Sequence, residues 1–190
     1  MNLPNKLTLL RVLLIPLFVL FILWQFTSAN IFIALVIFAI ASLTDLLDGQ
    51  IARKQGIVTN FGKFLDPLAD KALVMAALLA FVQLGWMSAV PAMIILFREF
   101  MVSALRLVVM PSDDKTVIAA GKSGKLKTAF TMIAIIAIMF FRGIVALGVP
   151  VPDMVITVVS EVLIWIATVL TIYSGAEYLK AYWHVIDTNK

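Results

Sequence analysis

Six apolar stretches, each about as long as a lipid bilayer is thick, limit what this chain can fold into. They cover residues 7–26, 31–52, 61–84, 87–110, 129–147 and 154 to beyond 173. A membrane-spanning helix needs about 20 predominantly apolar residues. Turn-forming residues separate the stretches, among them Gly56, Gly85 and Gly148. The pattern predicts an all-α, polytopic membrane protein, a bundle of six transmembrane helices that forms a single domain over residues 1–190.

The composition supports this prediction and excludes several other classes of protein. Of the 190 residues, 63% are hydrophobic and 14% are charged, whereas soluble domains are about 45–50% apolar. The chain has no Cys and one His, which excludes disulfides, thiolate metal sites and zinc sites built on paired histidines. A metal ion bound here would therefore be held mainly by oxygen ligands.

The positions of the basic residues predict how the six helices are oriented. With the N-terminus in the cytoplasm, all 15 Lys and Arg residues except Arg98 and Arg142 lie on or near the inner side. Cytoplasmic loops of membrane proteins carry such an excess of basic residues. Both termini are then cytoplasmic. The net charge of +4 matches anionic lipid, so it requires no nucleic-acid partner.

Four of the 11 acidic residues fall within the second and third apolar stretches. Asp45 and Asp48 are three residues apart and Asp66 and Asp70 are four apart, so each pair lies on one helix face. Each charge at bilayer depth costs roughly 2.5–3.5 kcal/mol, and carboxylates that face one another must share protons or bind cations. An all-oxygen cluster suits Mg²⁺, Mn²⁺ or Ca²⁺, and two such ions could clamp a phosphate.

The residues beside these carboxylates suit phosphate chemistry. Gly49 leaves one face of the second helix bare, and Ala52 keeps the next turn small. Arg53 can bind a phosphate through two parallel hydrogen bonds. On the third helix, Gly62 has the same effect as Gly49. The second and third helices together are therefore the predicted site of a phosphate-containing ligand.

Together these residues form a sequence motif that resembles the motif of the CDP-alcohol phosphotransferase family. All eight specified positions match, in the order Asp45, Asp48, Gly49, Ala52, Arg53, Gly62, Asp66 and Asp70. The resemblance implies six transmembrane helices, a homodimer, and a site that opens to the cytoplasm. It also implies an enzyme that moves a phosphatidyl-type group from a CDP-linked lipid to an alcohol and releases CMP.

The resemblance further implies roles for individual residues. Two divalent cations, Mg²⁺ or Mn²⁺, would be bound by Asp45, Asp48, Asp66 and Asp70. Asp70 would also be the catalytic base that takes the proton of the acceptor hydroxyl. The contacts to CDP-diacylglycerol would come from Asn5, Thr8, Asp48, Gly49, Ala52, Arg53 and Thr59.

The acceptor alcohol is predicted from basic residues on the fourth stretch and in the loop expected before the fifth. The candidate ligands of an acceptor phosphate are Arg98, Arg106, Lys125 and Lys127. Such a pocket favours glycerol 3-phosphate or inositol phosphate over serine or choline. Arg98 and Glu99 could instead form a structural ion pair within the membrane, and the sequence leaves both interpretations open.

Three further groups of residues are similar to those of bacterial family members that use glycerol 3-phosphate: residues 2–11, residues 98–100 with Arg106, and residues 121–128. This similarity implies that CDP-diacylglycerol and glycerol 3-phosphate give phosphatidylglycerol phosphate and CMP, by metal-assisted direct displacement at the bacterial cell membrane. Two alternatives remain open at this point. One is the same chemistry with inositol phosphate, serine or phosphatidylglycerol as acceptor, and the other is a divalent-cation transporter.

Overall fold

The computed structural model describes residues 3–24, 26–55, 60–109 and 122–183. Within these ranges it leaves undescribed the side chains of residues 3, 4, 45–55, 60–64, 66, 67, 106–109 and 122. The described chain forms α1 (Leu3–Leu23), α2 (Asn30–Gln55), α3 (Asn60–Gln83), α4 (Ala89–Val109), α5 (Lys122–Ala146) and α6 (Asp153–Tyr182). The predicted all-α fold is confirmed, and the six helices follow the order of the six apolar stretches.

Membrane-spanning length is clear for half of these helices. Among the described residues, three segments are long and apolar enough to cross a bilayer by length and composition: Asn5–Leu23, Ser123–Ala146 and Asp153–Tyr182. The described apolar part of α2, Asn30–Thr44, is shorter, and the side chains that follow it on this helix lie outside the described set. The number of six membrane spans therefore stays a prediction.

Two glycines end helices at the turns that the sequence indicates. After α3, Gly85 has φ +69° and the amide of Trp86 donates to the carbonyl oxygen of Phe81 at 2.8 Å. After α5, Gly148 has φ +93°. Glycine adopts this left-handed backbone without steric cost, and the backward hydrogen bond satisfies a carbonyl at the helix end.

The helices share one apolar core. α1 packs against α2 and α3, α5 packs against α2 and α6, and α4 packs against α3 and α6. Every helix contributes a fully buried side chain to the interior, namely Phe18, Phe38, Phe81, Ile95, Ile135 and Ile164. The outer surface is apolar as well, since Leu13, Phe97 and Val169 are each more than 60% exposed. Helices that are apolar on all sides are typical of a membrane protein.

A buried arginine ties α1 to α2. Arg11 is 1% exposed, and its Nε donates to the carbonyl oxygen of Ala41 at 3.3 Å. The hydroxyl of Thr44 donates to the same oxygen at 2.6 Å. A buried charge is tolerated only when it is paired or hydrogen-bonded. The contact therefore fixes α1 against α2 one turn before Asp45.

The prediction that Lys122, Lys125 and Lys127 lie in a loop before the fifth helix is wrong. α5 begins at Lys122, so Lys125 and Lys127 lie in its first two turns instead of preceding it. The prediction took the apolar stretch from residue 129 as the whole helix, but an apolar stretch marks only the part in the bilayer core. Lysine has a high helix propensity, so the helix extends past that part. α6 likewise continues to Tyr182.

Candidate functional site

A cavity of about 1280 Å³ lies at one end of the bundle. Its walls come from the middle of α2, the N-terminal halves of α3 and α5, and the C-terminal halves of α4 and α6. One part of the wall is apolar, including Leu43, Val102 and Ile136. The other part carries charged side chains. An amphipathic cavity of this kind can hold a ligand that has both an apolar and a charged part.

The charged part of the wall has a slight excess of cations. Among the described residues that line the cavity, the basic ones are Lys71, Arg98, Lys125 and Lys180, and the acidic ones are Asp70, Glu99 and Glu177. Lys127 lies behind this wall, is 3% exposed and contacts Glu99. The surroundings of the cavity therefore favour an anionic ligand.

Glu99 joins two of the predicted acceptor ligands. Its Oε1 contacts the ammonium of Lys127 on α5. The same oxygen lies 3.4 Å from Nη1 of Arg98, the preceding residue on α4. The ion pair that the sequence left open is thus present, with Lys127 as an additional member. Because Arg98 also lines the cavity, the ion pair does not exclude it as a ligand of a phosphate.

α6 holds the Arg98 side chain in place. Nη2 of Arg98 donates to the hydroxyl of Ser174 at 2.7 Å. A Cβ at Gly175 would stand 3.1 Å from Cγ of Arg98, so the arginine crosses α6 where the helix has no side chain. Neither of these two α6 residues was predicted from the sequence. The sequence does contain a feature that could have indicated them. Ser174 and Gly175 belong to a short, more polar run in an otherwise apolar helix, and Glu177 and Tyr178 belong to the same run.

Glu177 connects the beginning of α5 with the end of α6. Its carboxylate faces the side chains of Ser123 and Tyr173. Tyr178 stacks on Tyr182 one turn further along α6, with ring centroids 4.6 Å apart. Of these contacts, the one between Glu177 and Ser123 joins α6 to α5 at the cavity, near Lys125.

Asp70 is the motif carboxylate whose side chain the structure describes. It is half-buried and lines the cavity from α3, next to Lys71. The charges of Arg98, Asp70 and Lys71 all act on the Lys127 ammonium. The structure therefore brings Asp70 to the same cavity as the predicted phosphate ligands Arg98 and Lys125, with Lys127 behind them.

The other motif residues are placed by their backbone only. α2 is continuous through residues 45–53 and α3 through residues 62–70. The side chains that lie outside the described set are those of Asp45, Asp48, Ala52, Arg53, Asp66 and Arg106. Gly49 lies on the same α2 segment, and Thr59 lies outside the described residues. On α1, Asn5 is half-buried and Thr8 is 1% exposed.

The donor set fits a hard divalent cation. Helical backbone at both aspartate pairs keeps each pair on one helix face, and α2 packs against α3. Carboxylate oxygens are the ligands that Mg²⁺ and Mn²⁺ prefer. In the part of the chain with described side chains, no three His, Asp or Glu residues come together, since only Asp70 of the four aspartates belongs to that part.

Known proteins resemble this chain over almost its whole length. A family model described as CDP-alcohol phosphatidyltransferase matches residues 1–173. The chain is 39% identical over 200 residues to the CDP-diacylglycerol–glycerol-3-phosphate 3-phosphatidyltransferase of Bacillus subtilis (strain 168), which covers 99% of this chain and 98% of that protein. Proteins of the same name from Rickettsia typhi and Haemophilus influenzae are 39% and 37% identical, over 95% and 94% of this chain and 96% and 92% of their own lengths.

Proposed function

The chain belongs to the CDP-alcohol phosphatidyltransferase family, and from that premise we propose that it transfers the phosphatidyl group of CDP-diacylglycerol to glycerol 3-phosphate. The products are phosphatidylglycerol phosphate and CMP. Relatives that match nearly the full chain are named for this reaction. The protein is thus an enzyme of phospholipid biosynthesis, a transferase that works on membrane lipids.

One observation of the structure carries the choice of acceptor: Asp70 shares its cavity with Arg98 and Lys125. Glycerol 3-phosphate brings a hydroxyl that needs a base and a phosphate that needs cations. In this proposal Asp70 faces the hydroxyl. The phosphate is bound by Arg98, Arg106, Lys125 and Lys127. An acceptor without a phosphate would bring no anion to the cations that line this cavity.

The chemistry is a direct displacement. Asp70 accepts the proton of the acceptor hydroxyl as its oxygen forms a bond to the lipid-side phosphorus of CDP-diacylglycerol. The bond between that phosphorus and the bridging oxygen of the pyrophosphate breaks, and CMP leaves with the electron pair. A position inside the bundle excludes bulk water, which would otherwise compete with the acceptor for the phosphorus.

The donor lipid is assigned to the N-terminal half of the chain. Arg53 donates two hydrogen bonds to the pyrophosphate, and Gly49 lets the ligand approach the backbone of α2. The full set of proposed CDP-diacylglycerol contacts is Asn5, Thr8, Asp48, Gly49, Ala52, Arg53 and Thr59. The apolar wall of the cavity supports the proposal, because the donor carries acyl chains beside its charged head group.

The four motif aspartates are assigned as ligands of two divalent cations, Mg²⁺ or Mn²⁺. Asp45, Asp48, Asp66 and Asp70 would hold them between α2 and α3. When bound, such cations polarise the pyrophosphate and stabilise the negative charge that develops on CMP. The helical register of both pairs and the all-oxygen donor set support this assignment.

We further propose a homodimer in the bacterial cell membrane, with six spans per chain, both termini in the cytoplasm and the active site facing the cytoplasm. Lys71, Lys125 and Lys180 all line the cavity, so the end of the bundle that holds the cavity is the basic one. Basic ends of membrane helices stay on the cytoplasmic side. Arg142 lies near the opposite end, about one turn before the end of α5.

One assay tests the reaction and the acceptor together. The purified protein in detergent receives CDP-diacylglycerol, Mg²⁺ or Mn²⁺, and one of glycerol 3-phosphate, inositol phosphate, serine or phosphatidylglycerol, and CMP release is measured. We expect CMP with glycerol 3-phosphate. CMP release with serine but not with glycerol 3-phosphate would overturn the acceptor, and no CMP with any of the four would overturn the transferase itself.

A further inference from the structure

The two cations assigned to the acceptor phosphate already hold an anion. Arg98 and Lys127 both contact one oxygen, Oε1 of Glu99. The mechanism proposed above uses both cations but gives Glu99 no role. A carboxylate in this position competes with any other anion for the same two partners, because each new ligand has to replace its charge and its hydrogen bonds.

The exposure of the three side chains places Glu99 on the cavity side of the cluster. The Glu99 side chain is 20% exposed, that of Arg98 is 11% and that of Lys127 is 4%. Glu99 and Arg98 line the cavity, whereas Lys127 lies behind them. A ligand in the cavity therefore meets the glutamate before it meets the lysine.

We propose that Glu99 is an internal anion that occupies the acceptor-phosphate site, and that the acceptor binds when its phosphate takes the place of this carboxylate on Arg98 and Lys127. The inference rests on the proposed function and names a specificity-determining residue for it. Glu99 returns to the two cations when the product leaves. The product carries the same terminal phosphate, so the returning carboxylate also assists product release.

Charge explains how this exchange selects an acceptor. A phosphate monoester carries about −1.5 to −2 charges near neutral pH and offers three oxygens. The carboxylate that it replaces has one charge and two oxygens. A phosphate can therefore displace Glu99, while a hydroxyl or a single carboxylate gains too little to do so. Selection of this kind acts by a penalty on the wrong ligand.

The exchange requires only a side-chain movement. The hydroxyl of Ser103 donates to the backbone oxygen of Glu99 at 2.6 Å, within the continuous helix α4. The backbone of Glu99 is thus held in place. Its carboxylate stands at the edge of a cavity of about 1280 Å³, which leaves room for it to turn away from Lys127.

The test uses Glu99→Gln, which removes the charge and keeps the shape, with inorganic phosphate as competitor of glycerol 3-phosphate in the CMP-release assay. We expect the inhibition constant of inorganic phosphate to fall about tenfold, as the loss of a competing charged hydrogen bond allows. The KM for glycerol 3-phosphate falls as well. The kcat falls several-fold, because the product phosphate is held more tightly.

Glu161→Gln is the matched control. Glu161 lies on α6 about 20 Å along the helix from Ser174 and accepts a hydrogen bond from the backbone amide of Ser88. It undergoes the same chemical change away from the cavity. The inhibition constant of inorganic phosphate and both kinetic constants should match those of the unchanged protein.

The outcomes separate this inference from the proposed function. If the unchanged protein releases no CMP with glycerol 3-phosphate, the proposed function fails. If it does release CMP, but Glu99→Gln leaves the inhibition constant of inorganic phosphate unchanged or raises it, only the inference is overturned. If Glu99→Gln does not yield a folded protein, the same inhibition constant is measured for Glu99→Asp. The shorter side chain of Asp withdraws the carboxylate from Lys127. The inhibition constant should then fall two- to threefold, and no fall overturns the inference.

Discussion

Arg98 of α4 donates a hydrogen bond of 2.7 Å to the hydroxyl of Ser174 on α6, a residue 76 positions later in the sequence. This contact makes the last helix part of the proposed acceptor site. Without it, the long arginine side chain would have many rotamers in which its charge points away from the cavity. We therefore expect Ser174 to position the side chain that is assigned to the acceptor phosphate.

Ser174→Ala should raise the KM for glycerol 3-phosphate about fivefold, because Arg98 loses a hydrogen bond whose net contribution is about 1 kcal/mol. The KM for CDP-diacylglycerol should stay unchanged. Ser174→Thr keeps the hydroxyl and should keep the original KM. Equal increases in both KM values would instead indicate a general loss of structure.

Gly175→Ala tests the passage of Arg98 across α6. The added Cβ would stand 3.1 Å from Cγ of Arg98, so the arginine has to shift. In a helix, Ala is more favourable than Gly by about 1 kcal/mol, which offsets the steric cost. We therefore expect an unchanged or higher melting temperature together with a raised KM for glycerol 3-phosphate. A lowered melting temperature with an unchanged KM would contradict this expectation.

Asp70→Asn should reduce kcat by a factor of at least about 10³, since an amide cannot accept the proton of the acceptor hydroxyl. Size-exclusion chromatography should show the same profile as for the unchanged protein. Asp153→Asn, in the first turn of α6, makes the same chemical change outside the cavity and should leave kcat unchanged. Retained turnover in Asp70→Asn would remove Asp70 as the base.

Removal of divalent cations should abolish CMP release. Dialysis against a chelator withdraws the ions assigned to Asp45, Asp48, Asp66 and Asp70, and the negative charge of the carboxylates would then repel the pyrophosphate. Addition of Mg²⁺ or Mn²⁺ should restore the activity. Turnover that persists after complete chelation would contradict a metal-dependent displacement.

The proposed membrane orientation can be tested by labelling single introduced cysteines. The chain itself contains no cysteine, so no other position of the chain reacts with the label. Val149 lies in the α5–α6 connection and is 47% exposed, and Trp183 lies just after α6 and is 71% exposed. The two variants are Val149→Cys and Trp183→Cys. In intact cells, a maleimide that cannot cross the membrane should label only the cysteine at 149. Labelling at 183 in intact cells would reverse the orientation or change the number of spans.

The sequence predicted the helices well but not where they pack. Apolar stretches and turn glycines are local signals, so the order of the helices and the turns at Gly85 and Gly148 follow from them. The start of α5 was not predicted, because residues 122–128 are mostly polar although they are helical. A hydropathy pattern separates apolar from polar residues, and it does not separate helix from loop.

Only part of the candidate site could be predicted from the sequence, because the other part depends on packing between helices. The spacing of Asp66 and Asp70 is a pattern within one helix, and so is readable from the sequence. The contacts of Glu99 with Lys127 and of Arg98 with Ser174 join different helices, 28 and 76 residues apart. Such contacts depend on how α4 packs between its neighbours, and a single sequence carries no record of that packing.

The contact of Arg11 with Ala41 has a consequence for how the protein enters the membrane. An arginine within an apolar span costs up to roughly 2.5–3.5 kcal/mol at the helix centre, and one partner of Arg11 in the finished fold is a carbonyl oxygen that belongs to the next helix. The free energy of inserting α1 into the lipid is therefore lower when α2 is already present to accept the hydrogen bond of Arg11. We expect the two to pass into the lipid together as a hairpin, so that a chain truncated after residue 29 would be released into the bilayer less efficiently than one that continues through α2.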